Sequence, residues 1–173
     1  VADITNFGAD KGLLGQKIEA PALRANASSD GYQITGDVRI NGTPASVELV
    51  RTKGDPAAAL HLSAKLDDAA RHRLGFDVGS AVVGAIPVRL TARIGGDDTA
   101  QRMSVDADLT PVKIDDLFPG WEKAAGRNAH ASFSFVKSAK ATRLDDLNIS
   151  GDGANVQGSV GLDSSGNISS ASF

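Results

Sequence analysis

The chain has no cysteine, a feature that suits an oxidising compartment such as the periplasm and the cytosol alike. It also lacks a long apolar run. The longest, Ala81–Val88, is broken by Gly84 and Pro87 and falls far short of the ~20 residues that cross a bilayer as a helix. No secretory signal pattern is visible. There is no basic excess: the net charge is -3 and the pI about 5.5, which argues against nucleic acid as a partner. The same balance argues against simple electrostatic docking on anionic lipid head groups, which needs a polybasic patch. Aromatic residues are scarce, at 5%, while Ala and Gly are abundant.

What is present is ordinary in bulk. With 173 residues, 41% hydrophobic and 23% charged, the chain is long enough for one folded domain with a sizeable core. It begins at Val1 without Met and stops at Phe173 inside a strand-like pattern. Residues 1–173 therefore read as one β domain, a fragment of a longer protein built from repeats.

Period-two alternation dominates the sequence. Tyr32, Ile34, Val38 and Ile40 alternate with Gln33, Thr35, Asp37 and Arg39. The same pattern runs through Ala45–Leu49, Leu60–Leu66, Ile86–Ile94, Met103–Leu109, Ala129–Phe135 and Val156–Leu162. One apolar and one polar face per strand implies an antiparallel sheet that is wet on one side. Asn41-Gly42, Gly95-Gly96-Asp97-Asp98 and Ser164-Ser165-Gly166-Asn167 are turn signals between strands. One real helix is expected at Asp67–Leu74, with Asp67 as its cap, Gly75 as its stop, and Leu66, Ala69, Ala70 and Leu74 as its inward stripe. A second helical turn is expected at Ile114–Phe118, ended by Pro119-Gly120. The fold class that follows is all-β, mainly antiparallel: a long curled or twisted sheet of taco or open-sandwich type, with about eight or more strands and one or two short helices.

Residues that could do chemistry are few. His61 and His130 fall on polar strand faces and His72 on the outer side of the helix, with no spacing that brings metal ligands together. The doublets Asp67-Asp68, Asp97-Asp98, Asp115-Asp116 and Asp145-Asp146 sit where Asp caps helix starts and turns, and on a strand adjacent carboxylates face opposite ways. Ser134-Phe135-Val136-Lys137 matches a serine-nucleophile pattern that works on a helix, but it lies on a strand. Gly12-Leu13-Leu14-Gly15-Gln16-Lys17 lacks the Gly-Lys-Ser/Thr core of a phosphate loop. Asp163–Asn167 lacks the ligand spacing of a calcium loop. The expectation is a non-enzyme with no catalytic residue, no cofactor and no metal.

One phrase occurs twice. Tyr32–Gly42 reads Y-Q-I-T-G-D-V-R-I-N-G, and Leu147–Gly158 reads L-N-I-S-G-D-G-A-N-V-Q-G, one residue longer. The two are expected to occupy equivalent strands, with the extra residue in a bulge near Gly153-Ala154. Three further pieces follow in order: Leu66–Gly75, then Trp121-Glu122-Lys123 with Gly126, then the closing Gly158–Phe173.

Together these resemble the AsmA-like group of bacterial envelope proteins, most closely its YhdP-like branch, whose central domain was long of unknown function. The likeness runs from about Tyr32 onward. It implies a periplasmic β-taco in a parent protein anchored to the inner membrane outside this segment, carrying phospholipids between inner and outer membranes. On that reading acyl chains would fill an apolar groove whose candidate lining is Ile34, Val38, Ile40, Ile86, Val88, Leu90, Met103, Val105, Phe133 and Phe135. The partners would be phospholipid acyl chains, other envelope proteins or further repeats of the same chain. The same residues would form plain core if small inward side chains let two layers approach closely. The alternative function is an envelope scaffold that binds proteins and carries no lipid. A carbohydrate-binding sandwich ranks third, since one Trp and one Tyr offer little platform for sugars.

Overall fold

The computed structural model describes residues 1–10, 12, 15–75, 79–95, 101–115, 120–137, 142–162 and 168–172. The strands are β1 (Ala2–Ala9), β2 (Ile18–Ser28), β3 (Gly31–Ile40), β4 (Thr43–Thr52), β5 (Ala58–Leu66), β6 (Val82–Val83) and β7 (Ile86–Ile94). They continue as β8 (Gln101–Asp108), β9 (Lys113–Asp115), β10 (Glu122–Lys123), β11 (Ala129–Lys137), β12 (Thr142–Gly151), β13 (Ala154–Leu162) and β14 (Ile168–Ser172). Among the described residues, eleven of them form one sheet in the order β1-β2-β3-β4-β5-β7-β8-β11-β12-β13-β14, and β10-β9-β6 form a small second sheet. The large sheet is an antiparallel meander that does not close into a barrel.

Cross-strand register explains why the alternation matters. Partners in a ladder point to the same face, and one row of partners crosses the entire sheet: Ala2, Ala25, Ile34, Leu49, Leu60, Ala92, Met103, Phe135, Leu144, Val160 and Ala171. A parallel row runs Val38, Ala45, Ala64, Val88, Ala107, Ala131, Ile149 and Val156. The centre, β3 to β8, keeps unbroken register. The flanks do not. β2 shifts against β3 between Glu19 and Ala22, and β12 shifts against both neighbours around Asp145-Asp146. Bulges raise the local twist and bend the strand, so the flanks curl while the middle stays regular.

The helix α1 (Asp68–Arg73) matches its expectation at both ends. Asp67 Oδ1 accepts from the Ala70 backbone N–H at 2.7 Å, and Gly75 takes φ +81°. Its inward face differs. Ala69 is exposed, and Arg71 is buried beside Ala70. The Arg71 guanidinium donates to the carbonyls of Leu66 (3.0 Å), Gly84 (2.7 Å) and Val82 (2.8 Å) and pairs with Asp68. It ties the helix to the strand before it and to β6 after it.

Two expectations are corrected. Ile114-Asp115 is strand, not helical turn: Ile114 pairs with Val82 on one side and Lys123 on the other and is fully buried, while residues 116–119 lie outside the described residues. The repeated phrase is not a structural repeat. Its first copy runs along β3 into the turn Asn41-Gly42 (φ +46° and +79°). The second bends within itself at Asp152-Gly153 (φ +46° and +83°), so Leu147–Gly151 lie in β12 and Ala154–Gly158 in β13. A two-residue hairpin turn of type I′ needs positive φ at both positions. Asp37 is followed by Val38 and stays in its strand, whereas Asp152 is followed by Gly153 and turns. The bulge lies at Asp145-Asp146, with Asp146 at φ +56°, rather than at Gly153-Ala154. That doublet therefore sits inside a strand, not at a turn. Of the other expected turns, Asn41-Gly42 is a turn as read, and 96–98 and 164–167 fall outside the described residues.

The small sheet is pinned in the same way as the helix. Lys123 is 2% exposed, and its ammonium donates to the backbone carbonyls of Val112 (2.8 Å), Ala124 (3.0 Å), Arg127 (3.0 Å) and Thr110 (3.4 Å). Burial holds its pKa below the usual lysine value, partly countered by Asp152 and Asp108. Removing either buried cation strands several carbonyls. Arg71→Met and Lys123→Met should each lower the unfolding free energy by about 2–4 kcal/mol, read from urea denaturation, while Lys113→Met at the surface should change it by under ~0.5 kcal/mol. Equal, negligible effects in all three variants would show that neither cation holds its loop.

Candidate apolar groove

The apolar face divides into two regions. At one end of the strands β6, β9 and β10 cover it: Val82, Val112, Ile114 and Trp121 pack on Ala107, Ala129, Ala131 and Ile149, with Ile86, Val88, Leu147 and Val156 against the same cluster. A second cluster of Ala20, Val38, Ala45, Leu60 and Leu62, with Ile18, Leu23, Ile40, Val47, Leu49 and Leu90 against it, belongs to β2 through β7. Beside this second cluster lies an open groove of about 890 Å³. Its lining includes Ile4 and Phe7 of β1, Ile18 and Leu23 of β2, Ile34, Val38 and Ile40 of β3, Val47 and Leu49 of β4, Leu60 and Leu62 of β5, and Met103 of β8.

Of the residues expected to line a groove, Ile34, Val38, Ile40 and Met103 do so. Ile86 and Val88 are drawn into the capped cluster and Leu90 into the second. Val105, Phe133 and Phe135 lie on the same face by register, half-buried. Only Val38 (6%) and Met103 (1%) of this set are buried. The rest keep partial exposure, the signature of a face without a full covering layer.

Ile4, Phe7, Ile18 and Leu23 contribute without having been anticipated, because β1 and β2 carry no clean alternation. Asn6 (φ +55°) interrupts β1 between the pairs Thr5/Ala22 and Phe7/Ala20, and Pro21 lies in the opposing bulge of β2. The signal that could have found them is the pairing of an Asn with a Pro at one fold line. Gly36 makes the close approach of β3 to β2 feasible. A Cβ there would lie 2.8 Å from the Ala22 carbonyl oxygen and 2.8 Å from Leu23 Cδ2.

The polar side chains are structural or solvated. His61 and His72 are exposed, and His130 Nε2 lies 2.9 Å from Asp106 Oδ1. Among the described residues no three His, Asp or Glu side chains are grouped to hold a metal ion. Ser134 and Lys137 share strand β11. No helix among the described residues is long and apolar enough to cross a membrane.

Several carboxylates are held below their ordinary pKa: Asp55 by the Ala57 backbone N–H and Arg93, Asp108 by the Thr110 hydroxyl and N–H, Asp145 by Arg143, and Glu19 by Lys17. A depressed folded-state pKa means stability that is present above the unfolded value and lost as pH falls through the folded one. Lys17 and Lys113 are raised by Glu19 and Asp115, so their contribution is present below the ordinary lysine pKa and lost above it. The melting temperature should therefore be level from about pH 5 to 9 and fall below about pH 4. Asp108→Asn should make the acid-side fall shallower. A melting temperature that rises on acidification would contradict these ion pairs and caps.

Comparison with protein-family models, with curated proteins and with solved structures finds no match to this chain.

Proposed function

We propose that the domain is a non-catalytic periplasmic β-groove module that shelters lipid acyl chains during phospholipid transport between inner and outer membranes. The observation that carries this reading is the apolar row from Ala2 to Ala171. It crosses all eleven strands, and Ile34, Leu49, Phe135, Leu144 and Val160 along it remain half-exposed. At about 4.8 Å per strand the row is roughly 48 Å long, against about 15 Å for one leaflet of a ~30 Å hydrocarbon core. An acyl chain lying across the strands would gain about 0.8 kcal/mol per buried CH₂. Small residues such as Ala25 and Ala92 in the inward positions leave room beside the larger side chains for such a chain. The resemblance to AsmA-like envelope proteins supports the same compartment and cargo, with the parent protein anchored to the inner membrane.

The second reading is an envelope scaffold. It draws on the edge strand β1, exposed along nearly its whole length with Ile4 and Phe7 more than a third accessible, because an unpaired strand edge is a template for another strand.

Photoreactive side chains at Ile34 and Leu49, with Thr35 and Glu48 as outward controls, separate the two in cells expressing the parent protein. The expected result is phospholipid attached covalently at Ile34 and Leu49 only. Protein adducts on both faces, without lipid, would replace the conduit with the scaffold.

A further inference from the structure

The turn that joins β3 to β4 does more than reverse the chain. Asn41-Gly42 is the single Asn-Gly pair in the sequence; each of the other six asparagines is followed by a residue with a Cβ. The pair takes φ +46° and +79°, the two-residue form that Asn-Gly favours. It also fastens a neighbouring segment. Asn41 Oδ1 accepts from the Lys17 backbone N–H at 3.0 Å, and its side-chain amide donates to Gln16 Oε1. The Asn41 backbone N–H donates to the Lys17 carbonyl at 2.9 Å. The next residue, Ile18, pairs with Ile40 on one side and with Ala9 on the other. The register shift between Glu19 and Ala22 cuts this end of β2 off from the rest of its ladder with β3, leaving the pairs Ile18/Ile40 and Glu19/Arg39. Asn41 is thus the clip that holds the joined ends of β1 and β2 to the sheet.

The geometry points to Asn41 as a deamidation site whose reaction opens this clip. The nucleophile is the Gly42 backbone nitrogen. Gly42 is exposed, nothing lies within 4 Å of where its Cβ would be, and among the described residues its N–H donates no hydrogen bond. Once a base takes its proton, this nitrogen bonds to Asn41 Cγ. The Cγ–Nδ2 bond breaks, ammonia leaves with the proton, and a succinimide remains. The Lys17 N–H already aimed at Oδ1 stabilises the negative charge that develops there as the ring closes. Water then opens the ring at either carbonyl. Opening to aspartate keeps the acceptor for Lys17 and removes the donor to Gln16. Opening to isoaspartate routes the main chain through Cβ and Cγ, one methylene longer than the turn allows, so the Ile40/Thr43 closure and the clip cannot both persist. Among the described residues β1 pairs with β2 alone. The loosening therefore falls on the groove wall that carries Phe7 and Ile18, whatever that groove holds.

The test is to incubate the folded chain at mildly alkaline pH for days and to follow tryptic peptides by mass spectrometry. Cleavage after Arg39 and Arg51 yields Ile40–Arg51, in which Asn41 is the only side-chain amide. This peptide should shift by the mass difference between an amide and a carboxylic acid, while Ala25–Arg39, carrying Asn26 before Ala27, should not. The isoaspartyl form, separated by ion exchange, should show amide exchange about tenfold faster at Phe7–Ala9 and Ile18–Ala20, with β5 and β7 as protected as in the parent. The variant Asn41→Asp should show a smaller increase at the same amides. Earlier reaction at another asparagine would overturn the assignment, as would an intact Asn41 over a period in which the isolated Ile40–Arg51 peptide reacts. Unchanged exchange in the isoaspartyl form, or loss of protection that extends to β5 and β7, would overturn the clip.

Discussion

Everything in this molecule depends on a mismatch of areas: eleven strands offer one continuous apolar face, and the described residues supply a covering layer for only one end of it. Apolar surface left in water costs about 25 cal/mol per Å². A sheet of this width normally folds over itself, splits into two packed sheets or closes. Here the sheet curls at its bulged flanks and stays open. The half-buried state of Ile34, Leu49 and Phe135 follows from that single constraint.

Two buried cations show how the covered end is held. Arg71 and Lys123 sit in segments whose backbones do not join the large sheet, and each gathers backbone carbonyls from several neighbouring segments. A buried charge is costly unless its donors are satisfied, and here three or four carbonyls satisfy each head group. Backbone dipoles thus do most of the work of acidic partners, with Asp68 the one carboxylate paired with Arg71.

Much of the sheet was legible in the sequence because strand alternation is a local consequence of the pleat. From Tyr32 onward each alternating run corresponds to a strand, and α1 was readable from Asp67 and Gly75 at its ends. What misled was chemistry that depends on one neighbour. Gly36-Asp37 and Gly151-Asp152 look alike, yet the next residue, Val38 or Gly153, decides between strand and turn. β1 and β2 were obscured because Asn6 and Pro21 break the period at the fold line. β9 was hidden by its length, three residues beside a Pro-Gly pair. The burial of Arg71 and Lys123 was not legible, since apart from Asp68 beside Arg71 their partners are main-chain carbonyls with no side-chain signature. Of the site, the facing residues were legible and their division was not: Ile86 and Val88 share a face with Ile34, but only the position of Trp121 and Ile114 determines which of them is covered.

That division argues against reading the open row as a packing defect. Val112, Ile114 and Trp121 show that the chain can place large side chains over Ala107, Ala131 and Ile149 and bury them almost completely. In the row through Leu49 and Phe135 only Leu60 and Met103 reach comparable burial, while Ile34, Leu49, Phe135, Leu144 and Val160 keep partial exposure. Small residues interrupt the row at Ala25 beside Ile34 and at Ala92 between Leu60 and Met103. The half-exposed stretch through Ile34, Leu49, Phe135 and Leu144 is the part of the face on which the proposed lipid reading rests.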